Sequence, residues 1–379
     1  MDNLIAADIR QRPIRSLVSV VGVALGVALV MLFTGLARGM SNDLQRRSQN
    51  LRAEIIFTRP GTMDNLTSSP ANLSTKYAEN LQAIEGVESA VPVIRYVFQG
   101  GAGFGFEQVE GVDWEPFARM NGLRIVEGRA PQSQSEQEGK PAGEMVEILI
   151  DETKARNSNV GVGGVLKLFG DIPHRVVGIY APESGARVKM SLSDMQYRVE
   201  AVGKCTYILV KAKDGVNEKT LAERIDADAG TKGNKIQFTR DVFTSIEKSI
   251  PYLGLFLKVL VGLAAVVSAL VVMLAMYTTI TERTREIGIL KAMGASRGFI
   301  IGVIEKEAIL ISVLGLVLGF VVALIAGALI HRAYGLVFEY GWGWAIAAAL
   351  IGLLGGAIGA LYPAIRAANL DAVSALAYE

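Results

Sequence analysis

The run Val259-Leu-Val-Gly-Leu-Ala-Ala-Val-Val-Ser-Ala-Leu-Val-Val-Met-Leu-Ala-Met-Tyr-Thr-Thr-Ile-Thr281 contains no charged residue. About 20 apolar residues in a helix suffice to cross roughly 30 Å of hydrocarbon, so this run can span a bilayer unaided. Three more runs of the same kind occur: Ser16–Ala37, Ala308–Ile330 and Tyr340–Ile365. A buried core helix of a soluble protein is seldom so long and so free of charge. The first run also exceeds the roughly 7–15 apolar residues of a signal peptide, and is expected to be a retained span. Together they predict an α-helical membrane protein with four transmembrane helices and a large extracytoplasmic α/β domain inserted between helices 1 and 2.

Composition agrees. The chain has 379 residues, of which 51% are hydrophobic and 20% charged, against about 25% charged in an ordinary soluble domain. The net charge of +1 provides no global basic field, so no nucleic-acid partner is expected. A single cysteine, Cys205, excludes an intramolecular disulfide and a cysteine zinc site, and is expected to be a small core residue. The two histidines, His174 and His331, are too few and too far apart for a metal cluster. His174 follows Pro173 in a turn-like stretch and is expected to be solvated.

Lysine and arginine in short loops set membrane orientation. Arg10, Arg12 and Arg15 precede the first run. Arg283, Arg285, Lys291, Arg297 and Lys306 lie between the second and third, and Arg366 follows the fourth. The link between the third and fourth runs has only Arg332. The expected layout follows: an interfacial N-terminal segment 1–15, spans 16–37, 259–281, 308–330 and 340–365, a cytoplasmic loop 282–307, a short outer loop 331–339 and a cytoplasmic tail 366–379. Residues 38–258 then lie outside the cytoplasm.

That outer segment reads as mixed α/β. Strands are expected at Glu54–Thr58, Val91–Phe98, Val146–Ile150, Arg175–Tyr180 and Thr206–Val210, which are short β-branched or aromatic runs between turn residues. Helices are expected at Ser74–Ile84 and Asn217–Ala229. Leu36, Met40, Leu44 and Leu51 continue the first span's helical pattern; Val242, Ile246 and Ile250 lead into the second past Pro251. Two such helices would form a stalk. Gln132–Gly143 is polar and expected to be a loop. Gly100–Gly105 suits a hairpin turn better than a phosphate cradle.

No catalytic frame emerges. Both Gly-Lys pairs, Gly139-Lys140 and Gly203-Lys204, lack the following Ser or Thr of a P-loop, so the chain is expected to be non-catalytic, and any ATP hydrolysis is expected to come from another chain. The informative segment is Thr281-Glu-Arg-Thr-Arg-Glu-Ile-Gly-Ile-Leu-Lys-Ala-Met-Gly-Ala-Ser296. Glu282, Arg283, Arg285 and Glu286 suit a water interface, while Ile287, Ile289, Leu290 and Met293 suit a partner's groove. Gly288 permits close backbone approach, and Gly294 suits a helix C-terminal cap.

This segment resembles the Glu-Arg-x-x-Glu-Ile-Gly-x-Leu-x-Ala-x-Gly-Ala signature of the MacB/FtsX family of ABC transporter permeases. Val109-Glu-Gly-Val-Asp113, Arg124-Ile-Val-Glu-Gly-Arg129 and Val176-Val-Gly-Ile179 resemble that family's MacB-type periplasmic domain. Tyr362-Pro-Ala-Ile-Arg-Ala-Ala-Asn-Leu-Asp-Ala-Val-Ser-Ala-Leu376 resembles its tail, with Ala372 in place of the usual proline. The resemblance implies a coupling helix for Glu282, Arg283, Arg285, Glu286, Ile287, Gly288, Leu290, Lys291, Ala292 and Gly294. It further implies two copies of an ATPase partner holding ATP and Mg²⁺, a second permease copy or paralogue, a periplasmic adaptor and an inner-membrane location. Export through an adaptor is the leading expectation; a lipoprotein-releasing permease and an FtsX-like regulator of cell-wall hydrolases are alternatives, and a membrane-anchored receptor lacks a use for the 282–296 segment. The pairs Gly22/Gly26, Gly315/Gly319 and Gly355/Gly359 are spaced for close helix packing in lipid. None of the four runs holds an ionisable residue, which argues against an ion channel or proton-coupled carrier.

Overall fold

The computed structural model describes residues 13–62, 70–99, 106–133, 145–228, 230–241 and 253–370. The chain divides into two units, one formed by residues 1–41 and 252–379 and the other by 42–251. The expected segment 1–15, the second stalk helix at Val242–Pro251, the glycine-rich tip at 100–105, the polar loop Gln132–Gly143 and the end of the tail lie wholly or mostly outside the described residues.

Four helices long and apolar enough to cross a membrane stand among the described residues. α1 is Pro13–Gln49, with proline at its first position, where the missing N–H costs nothing. It continues twelve residues past the apolar run and contributes its last turns to the second unit.

The elements of that inserted domain follow in order. They are β1 (Ile55–Thr58), β2 (Leu73–Ser74), α2 (Tyr77–Gln82), β3 (Val87–Gln99), β4 (Phe106–Val112), α3 (Trp114–Asn121), β5 (Arg124–Gly128), β6 (Glu147–Asp151) and α4 (Glu152–Ser158). Then come β7 (Val165–Leu168), β8 (Ile172–Ala181), β9 (Val188–Ser191), α5 (Leu192–Arg198), β10 (Lys204–Cys205), β11 (Tyr207–Ala212), α6 (Glu218–Ala227) and β12 (Lys235–Phe238). The remaining helices are α7 (Leu253–Glu282), α8 (Thr284–Ala292), α9 (Arg297–Tyr334) and α10 (Trp342–Ala368).

The strands form one mixed sheet, ordered β12-β1-β11-β3-β4-β9-β6-β8-β5, with β7 on β8; β2 and β10 make a separate ribbon. The β4–β9 and β6–β8 pairs are parallel and the others antiparallel. Both faces of β11 are covered: Ile208 and Val210 enter one core cluster, while Tyr207 and Leu209 enter another. This period of two over a continuous apolar run is the signature of a strand buried on both faces. The helix starts are locally specified. Asp151, Ser191 and Asn217 each accept a hydrogen bond from the backbone N–H of Lys154, Asp194 and Lys219 respectively.

Several expectations change. Ser74 opens no helix, because Leu73 and Ser74 pair with Cys205 and Lys204, and α2 begins only at Tyr77. His174 is not a solvated turn residue. It sits inside β8 with its side chain fully withdrawn from water, and its Nδ1 lies 2.8 Å from the Ile172 carbonyl. Pro173 is accommodated within the β7–β8 hairpin, opposite Lys167. Burial holds the His174 pKa below the usual histidine value, so the ring is neutral at pH 7. Helix α9 begins eleven residues before its apolar run, at Arg297, and α10 begins at Trp342, not Tyr340.

Candidate functional site

The segment after α7 folds into a separate short helix. Arg283 leaves helical geometry at φ −102°, ψ 15°, ending the continuous helix, and α8 starts at Thr284. Gly294, at φ +93°, takes a backbone conformation that a side chain would strain, and turns the chain at the end of α8. Ser296 then caps α9 by accepting from the Phe299 N–H at 3.2 Å.

Two side chains tether this helix to its own unit. Arg283 reaches Glu286 at 3.2 Å and Glu307 of α9 at 3.5 Å. Lys291 donates from Nζ to the carbonyls of Ala368, at 2.9 Å, and Leu370, at the end of α10. An ammonium there meets both the unpaired carbonyls and the negative end of the helix dipole. Between α8 and the facing ends of α7 and α9 lies a cavity of about 390 Å³, lined by Met276, Ile280, Leu290, Phe299, Val303 and Ile304, with Arg283, Glu286 and Glu307 among its polar groups.

The expected apolar face splits in two. Ile287 is buried in a cluster that includes Ile280, Ile300 and Ile304, and Gly288 is buried beside it. Ile289 and Met293 are 45% and 72% exposed. The cause is helical pitch: residues four apart share a face, and residues two apart do not. Glu282, Arg285, Glu286, Ala292 and Gly294 are exposed, while Arg283, Leu290 and Lys291 are half-buried. The geometry therefore separates the ten expected residues into a packing set and an outward set.

The expected glycine pairs sit at helix crossings within this unit. A Cβ at Gly315 would lie 2.6 Å from Val23 Cβ, and one at Gly319 would lie 2.7 Å from the Ala24 carbonyl. At Gly22, Gly26 and Gly359 it would collide with Val271, Ser268 and the Ala269 carbonyl. Gly355 is looser, 3.4 Å from the Ala265 carbonyl.

A charge cluster inside the inserted domain carries no sequence signature. Lys189 and Glu110 are withdrawn from solvent and paired at 2.6 Å. Glu110 also accepts from Tyr207 Oη at 2.9 Å and pairs with Arg95 at 3.2 Å. Lys189 donates further to the Ser184 and Ala186 carbonyls at 2.8 and 3.0 Å. Burial alone would raise the Glu110 pKa, but Lys189 and Arg95 override it and hold the group at about 2. The loop carrying those carbonyls also grips the last turns of α1. Arg47 donates to Gly185 O at 2.9 Å and Asn50 to Glu183 O at 2.6 Å, and Arg187 pairs with Asp43 and, at 2.7 Å, with Asp151. In sequence Lys189 lies between Val188 and Met190, themselves flanked by Arg187 and Ser191, a pattern that does not mark it as buried.

Two family models match the chain. The MacB-like periplasmic core domain matches residues 16–228 and the FtsX-like permease C-terminal matches residues 258–372. The chain is 27% identical to the macrolide export ATP-binding/permease protein MacB of Escherichia coli over 97% of its own length and 58% of that protein's. It thus spans somewhat over half the length of such curated relatives. It is 23% identical to the uncharacterized ABC transporter permease YknZ of Bacillus subtilis, covering 96% of this chain and 95% of that one. Among solved structures it is similar to the periplasmic region of MacB from Actinobacillus actinomycetemcomitans, at 21% identity and a TM-score of 0.38, covering 54% of this chain and 98% of that one. Matches to the two family models extend over most of the sequence, and on that ground the chain belongs to the MacB/FtsX-like permease family of ABC transporters.

Proposed function

We propose that the chain is the transmembrane subunit of a MacB-type exporter, in which an ABC ATPase binding ATP and Mg²⁺ drives shape changes of the inserted domain. The carrying observation is α8: a nine-residue helix between two long apolar helices, anchored by Arg283 and Lys291 and holding Ile289 and Met293 outward. Large apolar side chains left exposed beside Arg285 and Glu286 suit a groove on a water-soluble partner. In this reading the termini and α8 are cytoplasmic, the inserted domain is outside, and residues 282–294 receive the push of the ATPase. The grip of the 182–187 loop on α1 supports transmission, since movement of α1 would reach the sheet through Arg187, Lys189 and Glu110. One α8 per chain and two ATPase copies require a second permease or a paralogue. A periplasmic adaptor would complete the export path.

The test is reconstitution with the cognate ATPase in proteoliposomes. Ile289→Asp and Met293→Asp together should abolish ATPase association and permease-stimulated hydrolysis while thermal stability stays within about 0.5 kcal/mol of wild type, as for ordinary surface sites. Full stimulation by the double variant would refute the assignment of α8.

A further inference from the structure

Strand β3 outruns its neighbour. Tyr207, the first residue of β11, pairs with Val93. The last bonds across that edge are Thr206 N–H to Val93 O at 2.9 Å, Arg95 N–H to the Thr206 hydroxyl at 3.1 Å, and that hydroxyl to Arg95 O at 3.5 Å. Before Thr206 the chain has peeled away, with Lys204 and Cys205 pairing to Ser74 and Leu73 instead. β3 continues to Gln99 with β4 along its other edge. Backbone groups address a given edge at every second residue, so Val97 and Gln99 point theirs to the vacated side. No hydrogen bond takes them up there among the described residues.

A cavity of about 430 Å³ occupies the split, lined by Arg95, Val97, Ala71, Val199, Ala201 and Lys204. Natural edge strands are usually blunted by lysine, proline or a bulge, yet Tyr96-Val-Phe-Gln99 contains neither residue and keeps regular register with β4. Large apolar groups stand in water on the same segments: Tyr96 is 41% exposed, and Tyr197 and Val202 are each 77% exposed. Glu200, in the cavity wall, and Phe169, stacked on Phe98, hold left-handed backbone at φ 54° and 52°. Strain of this kind in non-glycine residues concentrates at binding sites.

We propose that this split is a strand-addition site, at which an extended, apolar-rich polypeptide segment of a second protein pairs its backbone with Val97 and Gln99. Such an edge offers N–H and C=O groups at a two-residue repeat, and an extended backbone presents the matching repeat. Tyr96 and Val199, which line the cavity, would cover alternate side chains of the incoming strand.

The test titrates fluorescein-labelled pentapeptides, alternating Val with Thr, Glu or Lys, against the detergent-solubilised full chain by anisotropy. At least one binds, and its counterpart N-methylated on the amides facing β3 binds about tenfold more weakly, the loss expected for one or two backbone hydrogen bonds. Val97→Pro, which removes one edge N–H and leaves the β4 side intact, weakens binding to a similar degree with the far-UV circular dichroism unchanged. The proposal is overturned if no member of the panel binds, or if neither N-methylation nor Val97→Pro alters the affinity. Protection of the Val97 and Gln99 amides from hydrogen exchange without peptide would overturn it too, because the chain's own residues would then fill the edge.

Discussion

Lys291 of the short helix α8 caps the last transmembrane-length helix: its ammonium lies 2.9 Å from the carbonyl of Ala368. A residue expected to serve only a partner is therefore also part of the permease's own packing. Lys291→Met keeps the aliphatic stem and removes the charge and the donor. It should destabilise the detergent-solubilised chain by about 1 kcal/mol, the combined scale of a helix-end charge and a hydrogen bond. Lys291→Arg should restore most of that loss. Equal thermal midpoints for wild type and Lys291→Met would show the cap to be energetically idle.

Helix crossings in the apolar unit differ sharply in the room they leave. A Cβ at Gly359 would strike the Ala269 backbone carbonyl, whereas one at Gly262 finds nothing within 4 Å. Gly359→Ala should cost about 1–3 kcal/mol, as overpacking does where backbone must move. Gly262→Ala should be neutral or slightly favourable, since glycine inside a helix costs up to about 1 kcal/mol relative to alanine. Thermal denaturation followed by tryptophan fluorescence compares the two, and the prediction fails if they shift alike.

Lys189 and Glu110 form the buried pair on which the α1-gripping loop rests. Removing one partner of such a pair typically costs about 3–5 kcal/mol, because the other charge stays behind. Lys189→Met should fall in that range, lessened because Arg95 and Tyr207 still contact Glu110. Adding Glu110→Gln should return part of the loss, a coupling that a double-mutant cycle measures.

The same pair sets an acid limit. The Glu110 pKa lies at about 2 in the folded chain, against an ordinary 4.5. Its depression stabilises the fold fully above about pH 4.5, and that contribution, on the order of 3 kcal/mol, is lost as pH falls toward 2. Urea midpoints at several pH values should show less acid sensitivity in Glu110→Gln between those limits. An unchanged slope would mean that other groups dominate acid unfolding.

Cys205 is fully buried, and burial pushes its thiol up to about 12. It should resist thiol reagents in the native chain at pH 8 and react only after denaturation. Ser133→Cys, at a partly exposed position, should label in intact spheroplasts with a membrane-impermeant maleimide. Labelling of that cysteine only after lysis would reverse the proposed orientation.

The four-span class and the α/β character of the insertion were legible in sequence, whereas the short helix after the second span was implied only by the family resemblance. Charge-free length, β-branched runs between turn residues, and caps such as Asn217 act through neighbours in the chain, so no fold is needed to read them. Contacts between distant residues were not legible. That Ile287 turns inward while Ile289 turns outward depends on which helices flank α8. Likewise, Ser74 becomes a strand residue only because Lys204 arrives beside it, and β3 has an edge unpaired among the described residues only because β11 departs at Thr206. The Lys189–Glu110 pair joins residues 79 apart. A lysine between Val188 and Met190 gives no sign of burial until tertiary structure supplies the carboxylate that makes its burial tolerable. Local sequence chose the elements; pairing across the chain decided which of their groups are satisfied and which remain available to a partner.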